Sequence, residues 1–389
     1  MKLSNIKPHL LLFSFGFVYY LISPVVIGNY NLFLDIQGFI SWHYDYDSLS
    51  YDKLKQYCLI ISFWFLSFVI PSQVIRCNND FSLGKNSLSR ISKLIIIAII
   101  FPILLYTLLK IPTMINHYGS EEVTGKGTIA TGSMFILYIN IYLLLNSDRR
   151  GLLTKLIKWA LYFVTFCLLV TGTRMYFLIV VIALMINYFF YEKKGHIPFK
   201  FYLFSIITLF FILIVGVLRN GLQHTVTMEA LLSVFFMEPL FTWWSAMSYL
   251  ELNDIPAISF PSGFFSSFLN FIPTFIFPDK ASLLISTKTL ADFYAPLGAE
   301  SLFVSVSANF GYIFGCFYFM FLGGYFSIIH SLSKTNIYIR THYICICAIL
   351  PFQFYRDGFD IINKQFSFNL FIVPIVIILI SRLYTVNDK

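Results

Sequence analysis

The sequence has few charged residues. They make up 12% of its 389 residues, whereas water-soluble proteins carry about 25%. Apolar residues account for 58% and aromatic residues for 19%, which is more than a soluble domain can bury. So hydrophobic a composition also excludes a disordered chain. Apolar stretches of about 15–25 residues recur along nearly the whole length, so the sequence predicts an all-α polytopic integral membrane protein.

Several familiar sequence signals are missing. None of the six cysteines stands at CxxC spacing, which argues against zinc or thioredoxin-type chemistry and favours simple packing. The first apolar run has no small-x-small cleavage motif after it, so we expect a retained signal anchor. The net charge of +8 is typical of cytoplasmic loops beside anionic membrane lipid, and we expect no nucleic-acid partner.

Nearly uncharged runs predict about twelve transmembrane helices in one membrane domain, residues 1–389, with the N-terminus inside. The predicted spans are 9–28, 57–75, 94–109, 131–146, 159–173, 175–191, 201–218, 230–250, 258–277, 301–329, 341–355 and 366–381. Two of them could instead be re-entrant or lie along the interface: 230–250, which carries Glu238 and Pro239 inside it, and 258–277, which contains Pro261 and Pro273. They belong to a larger periplasmic or re-entrant region at about 220–300, and without them ten spans remain.

Most basic residues lie in predicted loops, where they need no special explanation, but Arg174 lies within a long apolar run. It is the only charge between Lys158 and Glu192, a run too long for one span of a roughly 30 Å hydrocarbon core. The Thr-Gly-Thr sequence at 171–173 favours a turn between two short arms. We therefore expect the guanidinium to lie recessed in the outer leaflet.

Arg219 and Arg356 repeat this arrangement at the outer ends of two further predicted spans, followed by Asn-Gly and Asp-Gly respectively. A charge held within a membrane costs about 2.5–3.5 kcal/mol on insertion scales, so such residues usually face a polar cavity. The alternative is that each arginine reaches the headgroups of its own leaflet. Because arginine binds phosphate through a permanently charged planar fork, three of them suit a lipid-linked diphosphate without a metal ion or other cofactor.

Three segments resemble, in order, those of the bacterial O-antigen polymerases, the Wzy family. They are LLVTGTRMYFLIVVIALMI, with a T-G-[ST]-R turn, GAESLFVSVSANFGYIFGCFYFMFLGG, with an N-F-G element, and FYRDGFDIINKQ, with an R-x-x-F turn. The first is also similar to the corresponding turn of the O-antigen ligases. The resemblance implies a GT-C-like glycosyltransferase of the bacterial inner membrane. Such an enzyme polymerises undecaprenyl-diphosphate-linked oligosaccharide repeat units at the periplasmic face, with a polysaccharide chain-length regulator as a further partner.

The resemblance also implies roles for individual residues. The three arginines match positions that hold diphosphates, and the acceptor hydroxyl needs a base within hydrogen-bond reach. Glu300 is the first candidate base, and its alternative is a structural pairing with Lys288 or another lysine nearby. The remaining candidates for catalysis or for binding of the diphosphate or glycan are Asp357, Asp360, Glu238, Asn309 and His224. His224 is included because ligases use a histidine in their large periplasmic loop.

Three other readings stay open. The first is a metal site at His43, Asp45 and Asp47, because two carboxylates at D-x-D spacing bind a divalent cation with a diphosphate. The second is an O-antigen ligase. The third is a flippase or transporter for the same lipid-linked oligosaccharides, which would place charges near the bilayer midplane.

Overall fold

The computed structural model describes residues 7–30, 32, 51–75, 88–116, 126–146, 151–170, 174–192, parts of 206–217, 227–272 and 276–386. Across these ranges the chain is helical and contains no strand. Ten long helices lie within the fully described ranges: α1 Pro8–Gly28, α2 Tyr51–Val74, α3 Arg90–Asn116, α4 Lys126–Leu145, α5 Leu152–Val170, α6 Arg174–Glu192, α7 Met228–Leu252, α8 Leu302–Leu332, α9 Ile337–Ile349 and α10 Phe359–Leu383.

Nine of these ten helices, all except α9, are long and apolar enough to cross a membrane. About 20 residues of α-helix are needed for that purpose, and α9 has only 13. The prediction of an all-α polytopic membrane protein is confirmed. The count of about twelve spans and the GT-C-like arrangement stay predictions.

The predicted span 258–277 does not form a spanning helix in its described residues. It contains two consecutive helical turns of five residues each, Ser262–Ser266 and Ser267–Phe271, preceded by Pro261. The run is apolar enough for a span, as its hydropathy indicates, but proline interrupts the helical hydrogen bonding that a span requires. The neighbouring run 230–250, in contrast, lies within the continuous helix α7.

The described residues divide into two compact units. The first unit comprises Met1–Val74, Glu192–Gly324 and Leu350–Ile362. Its core is aromatic: the ring of Phe13 in α1 stacks on that of Phe68 in α2, with centroids 3.7 Å apart. The hydroxyl of Tyr57 donates a hydrogen bond to the carbonyl of Leu21 at 3.1 Å and joins the same two helices further along.

The helix α8 is broken at Gly311, which has φ 71° and ψ −178°. The extended residues 256–259 lie beside the break. The N–H groups of Tyr312 and Ile313 donate to the carbonyls of Pro256 and Ala257 at 3.1 and 3.0 Å, and the N–H of Ser259 donates to the carbonyl of Phe310 at 3.0 Å. The backbone groups released by the break therefore have partners, as non-helical backbone at membrane depth requires.

The second unit comprises Ile75–Tyr191, Tyr325–Ile349 and Asn363–Lys389. Several of its polar side chains form hydrogen bonds within the unit. The Nδ1 atom of His342 lies 2.9 Å from the carbonyl oxygen of Leu370, and its Nε2 atom lies 3.1 Å from the hydroxyl of Tyr325. The guanidinium of Arg382 donates to the hydroxyl of Tyr142 at 2.5 Å. These contacts hold the helices of this unit together.

Candidate functional site

The candidate site lies in the first unit, around the turn 356–360 between α9 and α10. Glu300, just before α8, is its central carboxyl group. The Oε1 atom of Glu300 accepts hydrogen bonds from the hydroxyls of Thr287, at 2.5 Å, and Ser305. Burial raises the pKa of Glu300, the two hydroxyls oppose that effect, and the negative charges of Asp360 and Asp357 add to it. A raised pKa makes a carboxylate a stronger proton acceptor than an exposed one.

Gly358 lets two carboxyl groups approach each other. A Cβ atom at this position would lie 3.0 Å from Oε2 of Glu300 and 3.1 Å from Oδ1 of Asp360. Both oxygens therefore border the space that a side chain would occupy. The two acids share one small volume because residue 358 is glycine.

Arg356 is held between two acids. Its Nε donates to Oε2 of Glu238 at 2.7 Å, and its Nη1 donates to Oδ1 of Asp357 at 3.4 Å. Gln353 donates to the other oxygen of Asp357 at 2.8 Å. The carboxylate of Glu238 is the main cause of a raised pKa of Arg356, and burial raises the pKa of Asp357. The side chains of Arg356 and Glu238 remain 23% and 28% exposed, so the pair is accessible to a ligand.

This ion pair is recessed relative to the end of α1. The ring of Tyr355 stacks on that of Tyr20, with centroids 5.9 Å apart and 6° between the planes, and its hydroxyl donates to the carbonyl of Phe13 at 2.9 Å. Tyr20 stands eight residues before Gly28, where α1 ends, which is about 12 Å along the helix axis. The predicted recessing of Arg356 in the outer leaflet stays a prediction.

A second loop supports the turn. Asn270 donates from its amide to the carbonyl of Asp360 at 3.2 Å. Its amide oxygen accepts from Lys280 at 3.4 Å, and Lys280 also donates to the carbonyl of Ile272 at 2.6 Å. The amino group of Lys280 is thus engaged by the loop. These contacts hold the 270–280 loop against the residues that carry the acids.

Asn309 has a structural role in this arrangement. Its side-chain oxygen accepts from the N–H of Phe264 at 2.9 Å, and its amide donates to the carbonyl of Ser305 at 2.9 Å. The residue is only 1% exposed. It therefore positions the turn at 262–266, and its predicted contact with the substrate stays a prediction.

The structure brings together part of the predicted set. Glu300, Arg356, Asp357, Asp360 and Glu238 all lie in the first unit and form the cluster described above. Arg174 is the half-buried first residue of α6 and belongs to the second unit. The predicted residues that lie outside the described part of the chain are Arg219, His224, His43, Asp45 and Asp47. A pocket shared by all three arginines stays a prediction.

Sequence reasoning missed Thr287, Ser305 and Gly358 as parts of the site. Serine and threonine are common in every segment of the chain, so no local signal distinguishes the two that bond to Glu300. Gly358 was noted only as a turn residue after Arg356. The described residues contain no group of three or more His, Cys, Asp or Glu side chains arranged to hold a metal ion.

The fold and the cluster define the class of this protein: a multi-pass helical membrane protein with a cluster of ionisable side chains at the turn 356–360. Comparison of the chain with models of known protein families, with curated protein sequences and with solved structures finds no match.

Proposed function

We propose that this protein is a glycosyltransferase of the O-antigen polymerase type. It would join undecaprenyl-diphosphate-linked oligosaccharide repeat units at the periplasmic face of the bacterial inner membrane. The observation that carries the proposal is that a partly exposed arginine, Arg356, and a partly buried carboxyl group, Glu300, both border the turn 356–360. The first suits a diphosphate and the second suits proton transfer.

In the proposed reaction, a hydroxyl group of the acceptor sugar attacks the anomeric carbon of the donor glycan. The bond between that carbon and the diphosphate oxygen breaks, and undecaprenyl diphosphate leaves with the bonding electrons. Glu300 accepts the proton of the attacking hydroxyl. Arg356, with Arg174 and Arg219 as the other proposed diphosphate ligands, stabilises the charge of the leaving group.

The ion pair of Arg356 with Glu238 supports this role. Among the described residues, Nε and Nη1 of Arg356 have hydrogen-bond acceptors and Nη2 has none. The guanidinium is thus oriented by protein carboxylates while part of its fork stays available. Such orientation lowers the entropic cost of binding a phosphate oxygen.

The decisive experiment incubates purified protein with a lipid-linked repeat unit and follows the products by gel electrophoresis. The proposal expects a ladder of lengthening glycans, and the ladder should persist in the presence of a chelator. A single transfer to lipid A core would indicate a ligase instead, and movement of the lipid between leaflets without new bonds would indicate a flippase. Inhibition by the chelator would favour the metal site at Asp45 and Asp47.

Two substitutions test the residue roles, with a matched control. Arg356→Lys keeps the charge but loses the fork, so we expect most ladder formation to be lost. Glu300→Gln should abolish turnover while lipid-diphosphate binding persists. The control is Arg340→Lys, because the Arg340 guanidinium donates to the carbonyls of Ser333 and Lys334 in the second unit. Equal activity of all three variants would contradict the assigned roles.

A further inference from the structure

Tyr20 is a buried residue whose hydroxyl group has no hydrogen-bond partner among the described residues. The residue is 1% exposed. Other buried tyrosines of the same unit behave differently: the hydroxyls of Tyr57 and Tyr355 donate to backbone carbonyls at 3.1 and 2.9 Å. A buried hydroxyl without a partner is unfavourable, so its retention needs an explanation.

The surroundings of Tyr20 place it beside the ion pair of the candidate site. The hydroxyl of its neighbour Tyr19 donates to the carbonyl of Phe235 in α7, and Glu238 follows Phe235 by one helical turn, on the same face. The ring of Tyr20 itself stacks on that of Tyr355, the residue before Arg356.

Four ionisable groups act on the phenol of Tyr20. They are Tyr19, Glu238, Arg356 and Asp357, and one of them, Arg356, is a cation. Glu238 accepts the Nε–H of Arg356 in the ligand-free protein. Through Tyr355 and Tyr19, Tyr20 thus lies among the residues that border the ion pair, and the present donor to Glu238 is a candidate ligand for phosphate.

Diphosphate binding at Arg356 would disturb this ion pair. A diphosphate that binds through both Nη2 and Nε of Arg356 competes with Glu238, because the Nε–H is the group that donates to Glu238. A carboxylate that is largely buried and loses its donor carries a large desolvation penalty. Binding at Arg356 is therefore weakened unless another donor reaches Glu238.

We propose that the hydroxyl of Tyr20 replaces Arg356 as the hydrogen-bond donor to Glu238 when a diphosphate binds to Arg356. The inference rests on the proposed function, since it assumes a diphosphate ligand. Tyr20 is a positioning residue in this scheme, because it acts on the ligand through Glu238. The hydroxyl of Tyr20, which has no partner among the described residues, then makes its hydrogen bond only when the diphosphate is bound.

The test measures binding of farnesyl diphosphate to the full-length protein in detergent by isothermal titration calorimetry. We expect Tyr20→Phe to weaken binding about tenfold, which corresponds to about 1.4 kcal/mol. Tyr57→Phe is the matched control and should bind as the wild type does, because its hydroxyl bonds to a backbone carbonyl away from the ion pair. In a Glu238→Gln background, Tyr20→Phe should have no further effect, because no carboxylate remains to be satisfied.

Thermal unfolding without ligand supplies a second measurement. Tyr20→Phe should unfold at the wild-type temperature or above it, whereas Tyr57→Phe should unfold at a lower temperature because it loses a hydrogen bond. A wild type that binds no diphosphate would overturn the proposed function together with this inference. A wild type that binds, with Tyr20→Phe binding equally well, would overturn the inference alone. A tenfold loss that persists in the Glu238→Gln background would also overturn it, since Tyr20 would then act without Glu238.

Discussion

Gly358→Ala tests whether the site depends on the close approach of Glu300 and Asp360. The added Cβ would lie 3.0 Å from Oε2 of Glu300 and 3.1 Å from Oδ1 of Asp360, which is closer than ordinary van der Waals contact. Gly358 is not among the described glycines with positive φ, so alanine fits the backbone and only the side-chain space is perturbed.

The magnitude follows from how firmly Glu300 is held. Its carboxyl group accepts two hydroxyl hydrogen bonds, so it does not move away from a new methyl group without weakening them. Adding a methyl group to a filled site costs about 1–3 kcal/mol, and we expect about 2 kcal/mol here. Misplacing a proton acceptor by about 1 Å lowers a reaction rate roughly a hundredfold, so we expect ladder formation to fall by at least about tenfold.

The assay combines thermal unfolding in detergent with the ladder assay on the same protein preparation. Gly127→Ala is the control, because no atom lies within 4 Å of a Cβ at that position in α4. This control should keep activity and gain up to about 1 kcal/mol of stability from its higher helix propensity. If Gly358→Ala matches the control in both measurements, the two carboxyl groups do not depend on that space and the reasoning is wrong.

Three further predictions concern the surroundings of the site. Gly311→Ala should lower the free energy of unfolding by about 3 kcal/mol or more, because φ is 71° and a Cβ would lie 2.5 Å from the carbonyl oxygen of Pro256; an unchanged unfolding temperature would contradict this. Asn309→Ala should cost about 1–3 kcal/mol by leaving the N–H of Phe264 without its acceptor, which thermal unfolding measures. Glu300→Gln should flatten the dependence of the free energy of unfolding on pH. Because the pKa of Glu300 is raised in the folded protein, its contribution to stability is greatest below the reference pKa of 4.5 and is lost as pH rises through the folded-state pKa. The loss amounts to at most about 1.4 kcal/mol per pH unit. Parallel pH profiles of wild type and Glu300→Gln would refute this assignment.

The sequence predicted most of the long helices because a membrane span leaves a strong local signal: about 20 apolar residues in a row. The short length of the helix before Arg356 was also predictable, since the apolar run there is short. α9 ends at Ile349, and the residues from there to Arg356 do not continue a span. Length and charge placement along one segment carry this information without any knowledge of neighbouring segments.

The partners of the site residues were not predictable in the same way. Glu238 and Arg356 form their ion pair across 118 positions of sequence, and nothing local to either residue identifies the other. Thr287 lies 13 positions from Glu300 and begins the four-residue helix Thr287–Leu290, which is too short to show a helical period in the sequence. Such pairings are set by how the chain folds back on itself, which hydropathy does not describe.

The break in α8 links the architecture to the position of Glu300. The hydroxyl of Ser266, in the helical turn after residues 256–259, accepts a hydrogen bond from the N–H of Ile285 at 3.0 Å. Two residues further on, the hydroxyl of Thr287 reaches Glu300. A series of contacts therefore runs from the hydrogen bonds at Gly311, through Ser266 and Thr287, to Glu300, the candidate base. Unpaired backbone groups are costly inside a membrane, so the break at Gly311 depends on its hydrogen bonds to residues 256–259. A substitution that breaks these hydrogen bonds should therefore displace Glu300 as well.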